Sequence, residues 1–86
     1  MIIVSFKASF LRKLHRLDED LQNETLEKID LLKDIGNHHF LKVHKLHGHL
    51  SGLLSFSVNY KTRIVFEYVS KSEVALLSIG DHDVYN

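Results

Sequence analysis

The chain has 86 residues, 44% of them hydrophobic, which suits one domain over residues 1–86 with a single core and leaves too little apolar material for two. It has no cysteine, which excludes a disulfide framework and a thiolate metal site. Eleven basic residues cancel eleven acidic ones, so net charge alone points to no polyanionic partner.

The distribution of charge is uneven. Asp18, Glu19, Asp20, Glu24, Glu27, Asp30 and Asp34 crowd one segment, opposed there only by Lys28 and Lys33. From Ile35 to Phe66 there is no acid, while Lys42, Lys45, Lys61 and Arg63 share that stretch with five of the seven histidines. An acidic segment is thus followed by a basic, proton-sensitive one. If the latter forms one surface, it attracts phosphate.

In chain order, Ile2 to Phe6 is β-branched and apolar and reads as a strand. No basic region precedes it as in a signal peptide, and no apolar run approaches a membrane span. A cytoplasmic location is the expectation. Phe6, Phe10, Leu14 and Leu17 recur at helical spacing and predict one face of a first helix. Asp18 is suited to N-cap a second helix, with Glu19 and Asp20 in its first turn. Leu21, Ile29, Leu32 and Ile35 supply its buried stripe. Gly36 and Asn37, which tolerate the left-handed conformation, are expected to stop it. Two helices this short need an apolar surface to pack on.

That surface is expected to be a sheet. Phe56 and Val58 alternate with Ser55, Ser57 and Asn59, a strand with one buried face. Ile64, Phe66 and Tyr68 alternate with Arg63, Val65 and Glu67. Val74 to Ile79 is a third, more uniformly apolar strand, and turns at 59–62 and 70–73 give an antiparallel meander. The fold class is α+β, with the order β-α-α-β-β-β. Such a meander brings Arg63 near Gly80, with His82 just past the same sheet end and Ser57 and Lys61 close by. Residues 44–52 are long enough to carry His44 back to that end, although no pattern compels it.

Four motifs occur in order: H-x-L-x-G at His44 to Gly48, S-F-S-V-N-Y at Ser55 to Tyr60, R-I-V-F at Arg63 to Phe66, and I-G-x-H-D-x-Y at Ile79 to Tyr85. This ordered set resembles the RelE/ParE superfamily of type II toxin–antitoxin toxins, most of all the YafQ-like and RelE/StbE-like mRNA interferases. The likeness is dense over the second half of the chain. In the first half it lies in the arrangement of a strand and a helical hairpin.

The resemblance implies an endoribonuclease that acts on mRNA in the ribosomal decoding site, with the ribose 2′-hydroxyl as nucleophile and no metal or other cofactor. Such a reaction needs a base for the 2′-hydroxyl proton, a cation for the charged phosphorane and an acid for the leaving 5′-oxygen. Imidazoles and a guanidinium supply these. By resemblance His44 is the general base, His82 the general acid, Arg63 the charge stabiliser and Tyr85 a base-positioning aromatic, with acid and base exchangeable. Asp81 and Asp83 flank His82, where a carboxylate favours the protonated form. Lys42 and Lys45 resemble lysines that hold RNA backbone, and Lys61 is a third RNA-binding candidate.

Where YafQ-like toxins carry a further histidine and an aspartate, this chain has Ser57 and Lys61. Its neutral net charge, in a superfamily with many basic members, points to a ribosome that presents the substrate. His38, His39, His47 and His49 read as surface loop residues. The implied partner is an acidic, partly disordered antitoxin that folds on binding. Two other readings belong to other classes. One is a ParE-like gyrase poison without catalysis, against which the two motif histidines speak. The other is an inactive relative that only binds an antitoxin.

Overall fold

The computed structural model describes residues 1–85, without the side chains of His82 and Asp83. The first strand, β1 (Ile3–Phe6), leads into α1 (Ala8–Arg16) and α2 (Glu19–Leu32), as the apolar spacing predicts. Phe10 and Leu14 are the buried face of α1. Phe6 belongs to β1 rather than to the helix, with its ring centroid 5.8 Å from that of Phe10. Asp18 caps α2, accepting the Leu21 N–H at 2.8 Å. The Gln22 Nε2 donates to the Leu17 carbonyl at 2.8 Å, so α2 also satisfies an acceptor at the end of α1.

The end of α2 differs from expectation. Neither Gly36 nor Asn37 is left-handed. Among the described residues only Lys42, Gly48 and Gly52 have positive φ. Side chains do the capping instead: Asn37 Nδ2 donates to the Leu31 carbonyl at 3.0 Å, and His38 Nε2 meets the Leu32 carbonyl at 2.8 Å. The Asp34 carboxylate takes the Gly36 N–H at 2.9 Å and starts a 3₁₀ turn over Ile35–Asn37. Ile35 therefore turns away from the core and is 70% exposed. The buried stripe of α2 is Thr25, Ile29 and Leu32, with Leu21 packed against it.

Four more strands follow: β2 (His44–Lys45), β3 (Leu54–Ser57), β4 (Arg63–Ser70) and β5 (Glu73–Gly80). The five-stranded sheet has the order β1-β5-β4-β3-β2. β3, β4 and β5 form the expected antiparallel meander, and β1 lies parallel to β5 at the far edge. With a strand on each side, β5 is a central strand, which accounts for its near-continuous apolar run. The two-residue β2 has no periodicity of its own and was not foreseen. Phe56, Phe66, Ile64, Leu76, Phe10 and Leu32 form the heart of the core, with Phe56 and Phe66 edge to face at 5.7 Å. None of the described helices is long and apolar enough to cross a membrane.

Strand alternation predicts Ser55 and Val65 on a solvated face. Both are buried, Ser55 at 0% exposure. The chain after β5 makes a 3₁₀ turn over His82–Tyr85 that folds back against β4 and β5 and covers this second face. Truncating Phe66 to alanine is expected to destabilise the fold by about 3–5 kcal/mol, whereas Ile35→Ser shifts stability by no more than about 0.5 kcal/mol. Midpoints of urea unfolding compare the two directly.

Candidate active site

The loop between β2 and β3 reverses through Gly48 and Gly52, at φ +68° and +94°, where side chains are strained. It closes with the Leu46 N–H on the Leu53 carbonyl at 2.9 Å. That closure sets the β2–β3 register, with His44 opposite Ser55 and Lys45 opposite Leu54. Ser55 is in turn opposite Val65 on β4. Paired positions share a face, so His44, Ser55 and Val65 form one row across the sheet, on the side away from the two helices.

The imidazole of His44 is exposed, and its Nδ1 lies 2.9 Å from the carbonyl oxygen of Lys42. A carbonyl only accepts, so Nδ1 carries the proton and the lone pair of the neutral ring is at Nε2. Lys42 makes this contact from a left-handed backbone, φ +59°, unusual for a residue with a side chain. Next in the row, the Ser55 Oγ meets the Tyr85 hydroxyl at 2.9 Å. The terminal turn thus delivers the Tyr85 hydroxyl to the strand neighbour of His44.

Arg63 stands on the same face, two residues along β4 from Val65, or about 7 Å. It pairs with Ser57 on one side and Gly80 on the other, as the meander predicts. Its Nη1 donates to the carbonyls of Asn59 at 2.6 Å and Thr62 at 3.3 Å. This anchors one corner of the guanidinium and leaves its other donors directed by a fixed plane. Asn59 holds the turn itself, its Oδ1 accepting the N–H groups of Lys61 and Thr62 at 2.9 and 2.8 Å.

The other predicted positions divide. Lys42 borders a cleft beside Arg63. Lys45 alternates to the opposite face from His44 and borders a hollow with Leu46, His47 and Ser51. Lys61 is exposed in the β3–β4 turn, in a hollow shared with Asp81. The role assigned to His82 falls on a side chain outside the described residues. His39, His47 and His49 are exposed, while His38 is half-buried and caps α2. Ser55 and Asn59 are the site residues that sequence reading missed. The signal for Ser55 was the pairing of β2, which two residues are too few to announce.

No protein-family model and no curated protein matches the sequence. Solved structures do match. The RelBE2 toxin–antitoxin complex of Mycobacterium tuberculosis aligns with a TM-score of 0.76 and 18% identity, over 94% of this chain and 98% of that one. A YoeB/ParE toxin from Agrobacterium tumefaciens gives 0.75 and 16%, over 94% and 99%. The YoeB–YefM complex of Staphylococcus aureus gives 0.73 and 17%, over 95% and 98%. This chain has the RelE/ParE toxin fold. The match runs through the helical half as well as the sheet, so the RelE-like arrangement extends beyond the four sequence motifs.

In this RelE-like sheet the Ser55–Tyr85 contact has a measurable consequence. Tyr85→Phe removes the hydroxyl partner of a buried serine and should cost about 1–3 kcal/mol, whereas adding Ser55→Ala should recover part of that loss, since no buried polar atom is then stranded. Equal losses in the single and double variants, read from equilibrium unfolding, would contradict the pairing.

Proposed function

We propose that the chain is the toxin of a type II toxin–antitoxin system and an endoribonuclease. It cleaves mRNA on the ribosome by attack of the ribose 2′-hydroxyl on the adjacent phosphodiester, without a metal, and so arrests translation and growth. The carrying observation is the shared sheet face of His44, Arg63 and, through Ser55, the Tyr85 hydroxyl.

In the proposed reaction His44 Nε2, whose lone pair follows from the Nδ1 contact with Lys42, takes the proton of the 2′-hydroxyl. The 2′-oxygen forms a bond to phosphorus as the bond to the 5′-oxygen breaks, and that oxygen leaves with a proton. His82 is assigned as its donor, on chain position and resemblance. Arg63, always charged and planar, neutralises the equatorial phosphorane oxygens. The products are a 2′,3′-cyclic phosphate and a 5′-hydroxyl end. Tyr85 positions a base, and Lys42 and Lys61 hold the RNA backbone; Lys45, expected to join them, faces the other side of the sheet from His44 and takes no part. A cytoplasmic location follows from a ribosomal substrate.

The solved structures that share the fold include complexes of a toxin with its antitoxin. By that analogy the partner is an acidic, partly disordered antitoxin. A groove of about 480 Å³ between the start of β1 and the end of α2, lined by Met1, Ile2 and Ile35 with Lys33, Asp34 and Lys71 around them, offers apolar anchor points to a partner segment.

Induction of the chain followed by mapping of cellular RNA ends should show growth arrest and discrete new 5′-hydroxyl termini. His44→Ala and Arg63→Ala should each lower cleavage by roughly 10²–10⁴-fold with unfolding midpoints little changed, since neither side chain is in the core. Intact mRNA on induction of the wild type would overturn the nuclease reading. Undiminished cleavage in the doubly substituted protein would overturn the site.

A further inference from the structure

Beside the guanidinium of Arg63, α2, the turn ahead of β2 and the β3–β4 hairpin enclose a cleft of about 270 Å³. Its cations are Lys28, Lys42 and Arg63. None of the residues that line it is acidic, and Glu24, one turn before Lys28, has its carboxylate a loose 3.9 Å from the Lys28 ammonium and accepts from Asn59 Nδ2 at 3.0 Å. Two large rings border the same cleft from different elements, Phe40 from the turn and Tyr60 from the hairpin tip. Phe40 is 67% exposed and Tyr60 is 90% exposed. Neither packs in the core, so one cleft presents two exposed rings together with three cations.

We infer that this cleft seats a nucleotide flanking the scissile phosphate of a single-stranded RNA, with Phe40 and Tyr60 stacking on bases and Lys28 and Lys42 meeting phosphates. The assignment rests on the RNA-cleaving role proposed above and extends it to Lys28 and Phe40, which lie outside the four motifs, and to Tyr60, the last residue of the second. The chemistry of each group fits. Every base has a flat π-face, so exposed rings bind single strands with little sequence preference, while cations track the backbone between them. Volume and openness suit one nucleotide unit rather than a folded domain. Lys42 ties the cleft to the reaction: its carbonyl fixes the His44 ring and its backbone stands in the left-handed region. A strand lying in the cleft passes Arg63 and meets the His44 row next.

The test uses a fluorescein-labelled 2′-O-methyl hexaribonucleotide of mixed sequence, which has no 2′-hydroxyl and cannot be cleaved. Binding is read by anisotropy, beside mapping of RNA ends after induction. Phe40→Leu and Tyr60→Leu should each weaken binding by roughly 5- to 150-fold, the range for loss of one stacked base. Tyr60→Phe keeps the ring and should bind as the wild type does. Lys28→Ala should weaken all sequences alike and reduce the salt dependence by about 0.7 in log–log slope. Wild-type affinity in both leucine variants, or no binding by the wild type, would overturn the cleft assignment. Intact cleavage by those leucine variants would then leave the nuclease reading standing. Ring-dependent binding without any cleavage would remove the nuclease reading and keep the cleft. If the leucine variants hold the oligonucleotide normally but fail to capture the antitoxin, the cleft is a protein-binding surface and the assignment is overturned.

Discussion

The geometry of the candidate site depends on one side chain at the tip of a hairpin. Asn59 accepts two turn N–H groups, donates to Glu24 on α2, and through its carbonyl takes the short bond from Arg63. One residue thereby closes the β3–β4 turn, ties that turn to the helical layer and orients the guanidinium. The register that follows has Ser57 opposite Arg63 and Ser55 opposite Val65. A slip by one residue would exchange the faces of the strand, turning Phe56 out of the core and Ser55 into it. The apolar layer and the face that carries the candidate site are therefore two outcomes of a single register. The core favours that register because it buries Phe56, Ile64 and Phe66 together.

Much of the architecture was legible because it rests on local chemistry. Asp18 before an acidic first turn marks a helix start, and alternation in Phe56–Val58 and Ile64–Tyr68 marks strands with one buried face. The parts that were not legible involve residues far apart in sequence. Ser55 looks solvated until the last turn of the chain is known to lie over it. Ile35 has the right spacing for the α2 stripe, but Asp34 diverts the backbone into a tighter turn before that spacing can act. His44 was within reach of the site on chain length alone. Its placement needed the two-residue strand β2, held by loop closure rather than by any pattern of its own.

The split of charge along the sequence now has a spatial meaning. The acidic run lies on α2, on the helical side of the sheet, while Lys42, Arg63 and His44 come from the segment free of acids. The helical layer is itself of mixed sign, since α1 carries Arg12, Lys13 and Arg16, so the uniform sign belongs only to the segment from Ile35 to Phe66. Lys28 is the exception on α2, and it borders the basic cleft rather than the acidic surface. A formally neutral chain can in this way offer phosphate a positive face, with little long-range attraction to polyanions in general.

Lys42 connects these features in energetic terms. A non-glycine residue in the left-handed region costs of order 1 kcal/mol and persists only where its surroundings compel it. Here the preceding turn compels it: the Leu41 N–H bonds to the Asn37 carbonyl, the Lys42 N–H to that of His39 and the Val43 N–H to that of His38. The same turn places Phe40 and Lys42 on the cleft, buries Leu41 in the core, and leaves the Lys42 carbonyl facing His44 Nδ1. The strain is thus spent on holding one imidazole in one tautomer beside a basic surface. A relaxed backbone at residue 42 would release both the ring and the cleft wall, so an ordinary surface lysine holds a position on which the orientation of His44 depends.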